Sequence, residues 1–108
     1  MSVKVKETTL LNEIEVQQCL SISKKLFGDG YHSKNFFFQS NIIKLLALKN
    51  NNIVGFLSTK RIKNKIIIDC IAIKYRWQKK KIGSLLANYF FKNIVRDDEK
   101  VIAYAWKV

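Results

Sequence analysis

The longest apolar stretch in the chain is Ile66 to Ile73, IIIDCIAI, interrupted only by Asp69 and rich in β-branched residues. A near-continuous run of this kind predicts a strand covered on both faces. It is followed by KYRWQKKKIG, in which Lys74, Arg76, Lys79, Lys80 and Lys81 are all positive. Leu85, Leu86, Tyr89, Phe90 and Ile94 then recur at helical spacing, with Phe91 beside the stripe. Strand, basic turn and amphipathic helix thus follow one another directly from Ile66 to Ile94. Lys92 and Arg96 suit the negative end of that helix. Arg96 to Lys100 reads as a charged loop, and Val101 to Trp106 as a closing strand.

Upstream, Val3 and Val5 alternate with Lys4 and Lys6, which predicts a short first strand. Asn12 and Glu15 have the spacing of a capping box. Ile14, Cys19, Ile22 and Leu26 then form a stripe that predicts a helix over residues 13–27, ended by Gly28-Asp29-Gly30. Tyr31 to Ser40 fits either a short helix capped by Ser33 or an extended segment. Phe36, Phe37 and Phe38 cannot all face one side of a regular helix. They either pack on the sheet or help to line an acceptor site. Ile43 to Leu48 and Ile53 to Thr59 read as strands joined at Asn50-Asn51-Asn52. Lys60 to Lys65 reads as a basic turn. The three central strands should form an antiparallel meander. The last strand should return over the second long helix, parallel to Ile66–Ile73 and on a right-handed crossover. The fold class expected is α/β: a mixed, mainly antiparallel sheet flanked by helices, one domain over residues 1–108.

Composition fits a globular domain, with 48% hydrophobic and 26% charged residues. Charge changes the picture more. Twenty Lys and Arg against eight Asp and Glu give +12, a field that attracts anionic partners. Only Arg61, Arg76 and Arg96 are arginines, so the rigid bidentate fork is scarce. Cys19 and Cys70, the only cysteines, sit among apolar neighbours and read as buried free thiols. No apolar run reaches membrane-spanning length and the N-terminus has no signal-peptide pattern, so a cytoplasmic protein without a membrane partner is expected. One histidine and two separated cysteines make no recognisable metal site, and no metal is expected.

The basic turn carries the chemistry. Unpaired N–H groups at a helix N-terminus can cradle a phosphate, and Gly83 lets one approach closely. One glycine among lysines is equally a solvated turn. Residues Ile71 to Leu86, however, resemble the cofactor motif of the Gcn5-related N-acetyltransferases (GNAT). That motif runs Arg/Gln-x-x-Gly-x-Gly/Ala after a hydrophobic strand. Gln78 matches its first position and Gly83 its last, and Leu85-Leu86 match the leucines that follow. Lys81 stands where the middle glycine belongs, a position needing positive φ. Tyr75 stands at the common proline. The strands from Ile53 to Ile73 and the N-terminal helices also resemble the family's pattern.

The resemblance implies acetyl-CoA as cosubstrate and direct acetyl transfer to an amine. It implies that backbone groups of Gln78, Lys79, Lys80, Lys81, Ile82, Gly83 and Ser84 hold the pyrophosphate. It also implies a bulged fourth strand, with Ile71 and Ile73 offering backbone groups to the pantetheine and acetyl carbonyl. Candidate catalytic residues are Asp69, His32 and Tyr104, with Glu13 and Glu15 as further bases. Burial of Asp69 inside its strand would raise its pKa toward a useful range. Tyr104 could protonate the departing thiolate. Each of the three has a plainer alternative: a hydrogen-bonded strand carboxylate, a loop histidine and a sheet tyrosine.

Family members usually carry a further helix and hairpin after the fifth strand, where this sequence reaches Val108. A homodimer or a completing partner at the last strand is therefore expected. Two other readings remain open. Lys60–Lys65 and Lys74–Lys81 could form one nucleic-acid-binding face with Tyr75 and Trp77 for stacking. A catalytically silent cofactor-binding assembly subunit is the other.

Overall fold

The computed structural model describes residues 2–103. Strand β1 (Lys4–Thr8) leads into helix α1 (Glu13–Phe27) and short helix α2 (Lys34–Phe38). Strands β2 (Ile42–Lys49), β3 (Asn52–Ile62) and β4 (Lys65–Ile73) follow, then helix α3 (Ile82–Tyr89) and strand β5 (Lys100–Ala103). The sheet order is β1-β2-β3-β4-β5, antiparallel except for the parallel β4–β5 pair. This is the mixed meander-plus-crossover that the apolar pattern predicts.

Local chemistry accounts for most boundaries. Asn12 accepts from the Glu15 N–H at 2.8 Å while Glu15 accepts from the Asn12 N–H at 2.9 Å, closing the capping box of α1. Ser33 caps α2 through the Phe36 N–H at 3.2 Å, which decides the helix-or-extended question for that segment. Asn50 and Asn51 take left-handed backbone conformations (φ 51° and 66°) between β2 and β3. A π-helical turn, Phe90–Ile94, continues α3 and buries Phe90 and Ile94.

Two sequence expectations need correction. The predicted basic turn Lys60–Lys65 is mostly strand: β3 runs on through Ile62, and Lys63-Asn64 alone makes the turn, with Lys63 at φ 56°. Lys60 points out while its backbone pairs with Ile42 and Ile67, so its charge is no obstacle to a strand. Ile14 is exposed; Val16, Cys19, Ile22 and Ser23 make the buried face of α1.

The sheet has a core on each face. Leu45, Val54, Leu57, Ile66, Ile68 and Ile73 pack under Ile82, Leu86, Phe90 and Ile94 of the α3 segment. Leu46, Ile53, Phe56, Cys70 and Ala72 pack under α1 and Phe37 of α2. Ile66 and Ile68 therefore face α3, whereas Cys70 and Ala72, of the same parity, face α1. A bulge causes the reversal: Ser58 pairs with Cys70 and Thr59 with Ile68, leaving Asp69 as the extra residue.

Buried Lys44 ties the α1 side together. Its Nζ donates to the carbonyls of Thr9, at 2.9 Å, and Gln39, joining the segment before α1 to the segment after α2. Desolvation pulls its pKa down.

Candidate active site

β4 connects two parts of the site. At its C-terminal end the Lys74 N–H donates to the Val54 carbonyl at 2.8 Å, and Tyr75–Trp77 form a single 3₁₀ turn. The Gln78 side-chain amide donates back to the Ile73 carbonyl at 3.2 Å, fixing the turn on the strand that precedes it. Lys81 then adopts φ 62°, ψ 23°, the left-handed conformation that a glycine would take most easily.

No side chain caps α3. Its first turn, Ile82 to Ser84, offers backbone N–H groups and the positive end of the helix dipole. A Cβ built on Gly83 meets nothing within 4 Å, so the space above the turn is open to a ligand. Lys79, Lys80 and Lys81 around it are exposed. These features fit an anionic phosphate group: donors, dipole and cations converge, and Gly83 leaves room for approach.

The second part lies at the bulge. Asp69 and His32, far apart in sequence, meet here: His32 Nε2 is 3.7 Å from Asp69 Oδ2. Ser58 Oγ donates to the same Asp69 oxygen at 3.4 Å. Behind the imidazole, Ser23 Oγ lies 2.7 Å from His32 Nδ1. A hydroxyl that donates to Nδ1 leaves the ring proton on Nε2, facing the carboxylate. The imidazole is 5% exposed, stacked on Phe36 at 4.5 Å and edge-on to Phe37 and Tyr31. The Asp69 side chain is 47% exposed, so the burial expected of it is not found. Its strand is apolar, but the bulge turns this residue to the open part of the α1 face.

Other candidates fall away or lie elsewhere. Glu13 pairs with Lys34 at 2.6 Å. Glu15 belongs to the capping box and to Lys6; burial works to raise its pKa, but the Asn12 N–H and Lys6 hold it below the usual range. Tyr104 lies outside the described residues. Ile71 and Ile73 follow the bulge, and among the described residues β5 pairs with β4 only as far as Ile68. Cys19 and Cys70 are buried free thiols, each pushed up to about 12 by desolvation, so neither is a nucleophile. The two basic segments read as one nucleic-acid face sit at opposite ends of β4, nine residues or about 30 Å of strand apart. Sequence reasoning missed Ser23 and Ser58, which no local pattern marks.

Comparison identifies the fold. No protein-family model matches the chain, and no curated protein does. Solved structures do match. An aminoglycoside acetyltransferase, HMB0005, from an uncultured soil metagenomic sample superposes with a TM-score of 0.75 at 20% identity, over 100% of this chain and 82% of that one. The GNAT family protein SP0256 from Streptococcus pneumoniae TIGR4 gives 0.78 at 14% identity, over 99% and 78%. The PaiA N-acetyltransferase of Thermoplasma acidophilum, solved in complex with coenzyme A, gives 0.67 at 19% identity, over 85% and 71%. The chain has the GNAT fold.

Proposed function

We propose that this chain is an acetyl-CoA-dependent N-acetyltransferase with Asp69 as its base. The observation that carries this reading is the layout of β4. One end leads to an uncapped helix N-terminus ringed by lysines, and the bulge sets an exposed carboxylate against a buried histidine. In a GNAT fold the first would hold a pyrophosphate, through the backbone from Gln78 to Ser84. The second would serve the acceptor. Backbone groups of Ile71 and Ile73 lie between them, along the expected course of the pantetheine.

When bound, acetyl-CoA supplies an acetyl group activated as a thioester. The protein's part is to make an amine neutral and hold it there. Asp69 takes the proton from the acceptor ammonium, directly or through one water. His32, with its proton on Nε2, steadies the carboxylate, and Ser23 fixes the ring. Transfer is direct because both thiols are buried and protonated. No helix among the described residues is long and apolar enough to cross a membrane. We place the enzyme in the cytoplasm, paired through its last strand.

Isothermal titration with acetyl-CoA tests the cofactor assignment. Saturable binding is expected, and none at about 1 mM would sink it. Gly83→Val should weaken binding at least about tenfold without unfolding the protein, since the added Cβ meets no protein atom. Unchanged binding in that variant would move the phosphate away from this turn.

A further inference from the structure

A groove of about 630 Å³ lies between α1 and the segment that follows β4. Ile22 and Leu26 supply apolar walls, Trp77 an aromatic one, and Lys25, Lys74 and Arg76 its cations. No carboxylate lines it, and among the described residues none of these three cations has an ion-pair partner. None of its lining residues belongs to Gln78–Ser84, although Trp77 adjoins that proposed phosphate turn. Its α1 wall includes Ser21 and Ile22, next in sequence to Ser23, which holds His32.

We infer that this groove seats the far end of the acceptor, and that the acceptor is a small amine carrying an acidic group on an apolar or aromatic body. The inference rests on the acetyltransferase reading above. Three unpaired cations beside apolar walls suit a carboxylate or phosphate attached to such a body, and the volume is that of a small-molecule site. A polycationic acceptor would meet repulsion here and from the +12 charge as a whole. Length follows from the strand. Lys74 lies five residues beyond Asp69, about 16 Å at the rise of a β-strand. Lysine and arginine side chains cover part of that gap. The amine and the acid are therefore separated by roughly the length of a tripeptide, about 10 Å, rather than sharing one carbon. A free α-amino acid is too short to reach both ends.

The test compares Gly-Gly-Phe with its C-terminal amide and with glycine, using thiol release from acetyl-CoA. The free acid should exceed the amide at least about tenfold in kcat/KM at low salt, and glycine should be poor. In the triple variant Lys25→Gln, Lys74→Gln, Arg76→Gln the acid and amide should become equal, while acetyl-CoA affinity stays within about twofold. An ω-aminoalkyl phosphate of the same length separates the two acidic groups: preference for it makes phosphate the natural end, preference for the peptide makes it carboxylate. Equal use of acid and amide by the unaltered protein overturns the inference. So does a triple variant that loses acetyl-CoA affinity, because the groove would then belong to the cofactor. Quenching of Trp77 fluorescence by Gly-Gly-Phe reads the groove without turnover. If acetyl-CoA fails to bind yet acid-dependent quenching persists, the enzyme reading falls and the anion site stands. If neither peptide quenches, the site falls by itself.

Discussion

The two faces of the sheet are built from different materials. Under α3 the core runs through apolar residues from Leu45 on β2 to Ile94 at the end of the π-turn, with buried Thr59 opposite Ile68 as a polar exception whose hydroxyl has no partner among the described residues. Under α1 and α2 the apolar residues share space with Ser23, His32, Lys44 and Ser58, all with buried side chains. Burying polar groups costs stability unless each finds a partner. On the α1 face they do: Lys44 holds two carbonyls, and the serines and His32 form a chain that ends on Asp69. The contrast teaches a division of labour. One face holds the fold together by packing, and the other spends part of its core on positioned polar atoms.

The largest effect should come from the apolar face. Phe90→Ala removes a fully buried ring and should cost about 3–5 kcal/mol in urea unfolding. A loss below about 1 kcal/mol would mean that the α3 face is not the stabilising one. On the other face Asp69→Asn should do the reverse. Its exposed side chain should leave stability within about 1 kcal/mol while acetyl transfer falls about 100-fold or more. Equal damage to both would erase the distinction.

Next comes the clamp at the edge of the α3 face. Arg61 donates to Glu99 through Nε at 2.6 Å and Nη2 at 3.1 Å, and also to the Ile94 carbonyl. Glu99→Gln should cost about 2 kcal/mol at neutral pH. The hydrogen bond from Arg61, opposed in part by burial, holds the Glu99 carboxyl below its usual range. A depressed carboxyl stabilises the fold above its unfolded pKa, and that contribution is lost as pH falls through the lower, folded value. Acid unfolding should therefore flatten in the variant. The smallest effect is at the turn. Lys81→Gly relieves a left-handed lysine but frees the unfolded chain, for a net gain of about 0.5 kcal/mol in thermal unfolding.

What the chain discloses in advance divides along similar lines. The Asn12–Glu15 box, the Asn50-Asn51 turn and the strand–turn–helix from Ile66 are legible because each depends on residues near one another in sequence. The left-handed backbone at Lys81 was legible only as a departure from the GNAT motif. The meeting of His32 with Asp69 is not legible, because only the packing of α1 and α2 on β4 brings these two separate candidates together. Nor was the reach of β3 through Lys60 and Arg61, where charge masks a strand whose side chains point outward.

The bulge at Asp69 makes β4 two half-strands out of phase by one residue. Before it, even-numbered positions answer to α3; after it, they answer to α1. Deleting Asp69 would do more than remove a carboxylate. It would straighten the ladder, with Ile68 followed directly by Cys70, and would leave Cys70 and Ala72 toward α1 and Ile71 and Ile73 toward α3. The residue proposed to carry the chemistry is thus an insertion that both cores can do without, which leaves its side chain free to face a ligand.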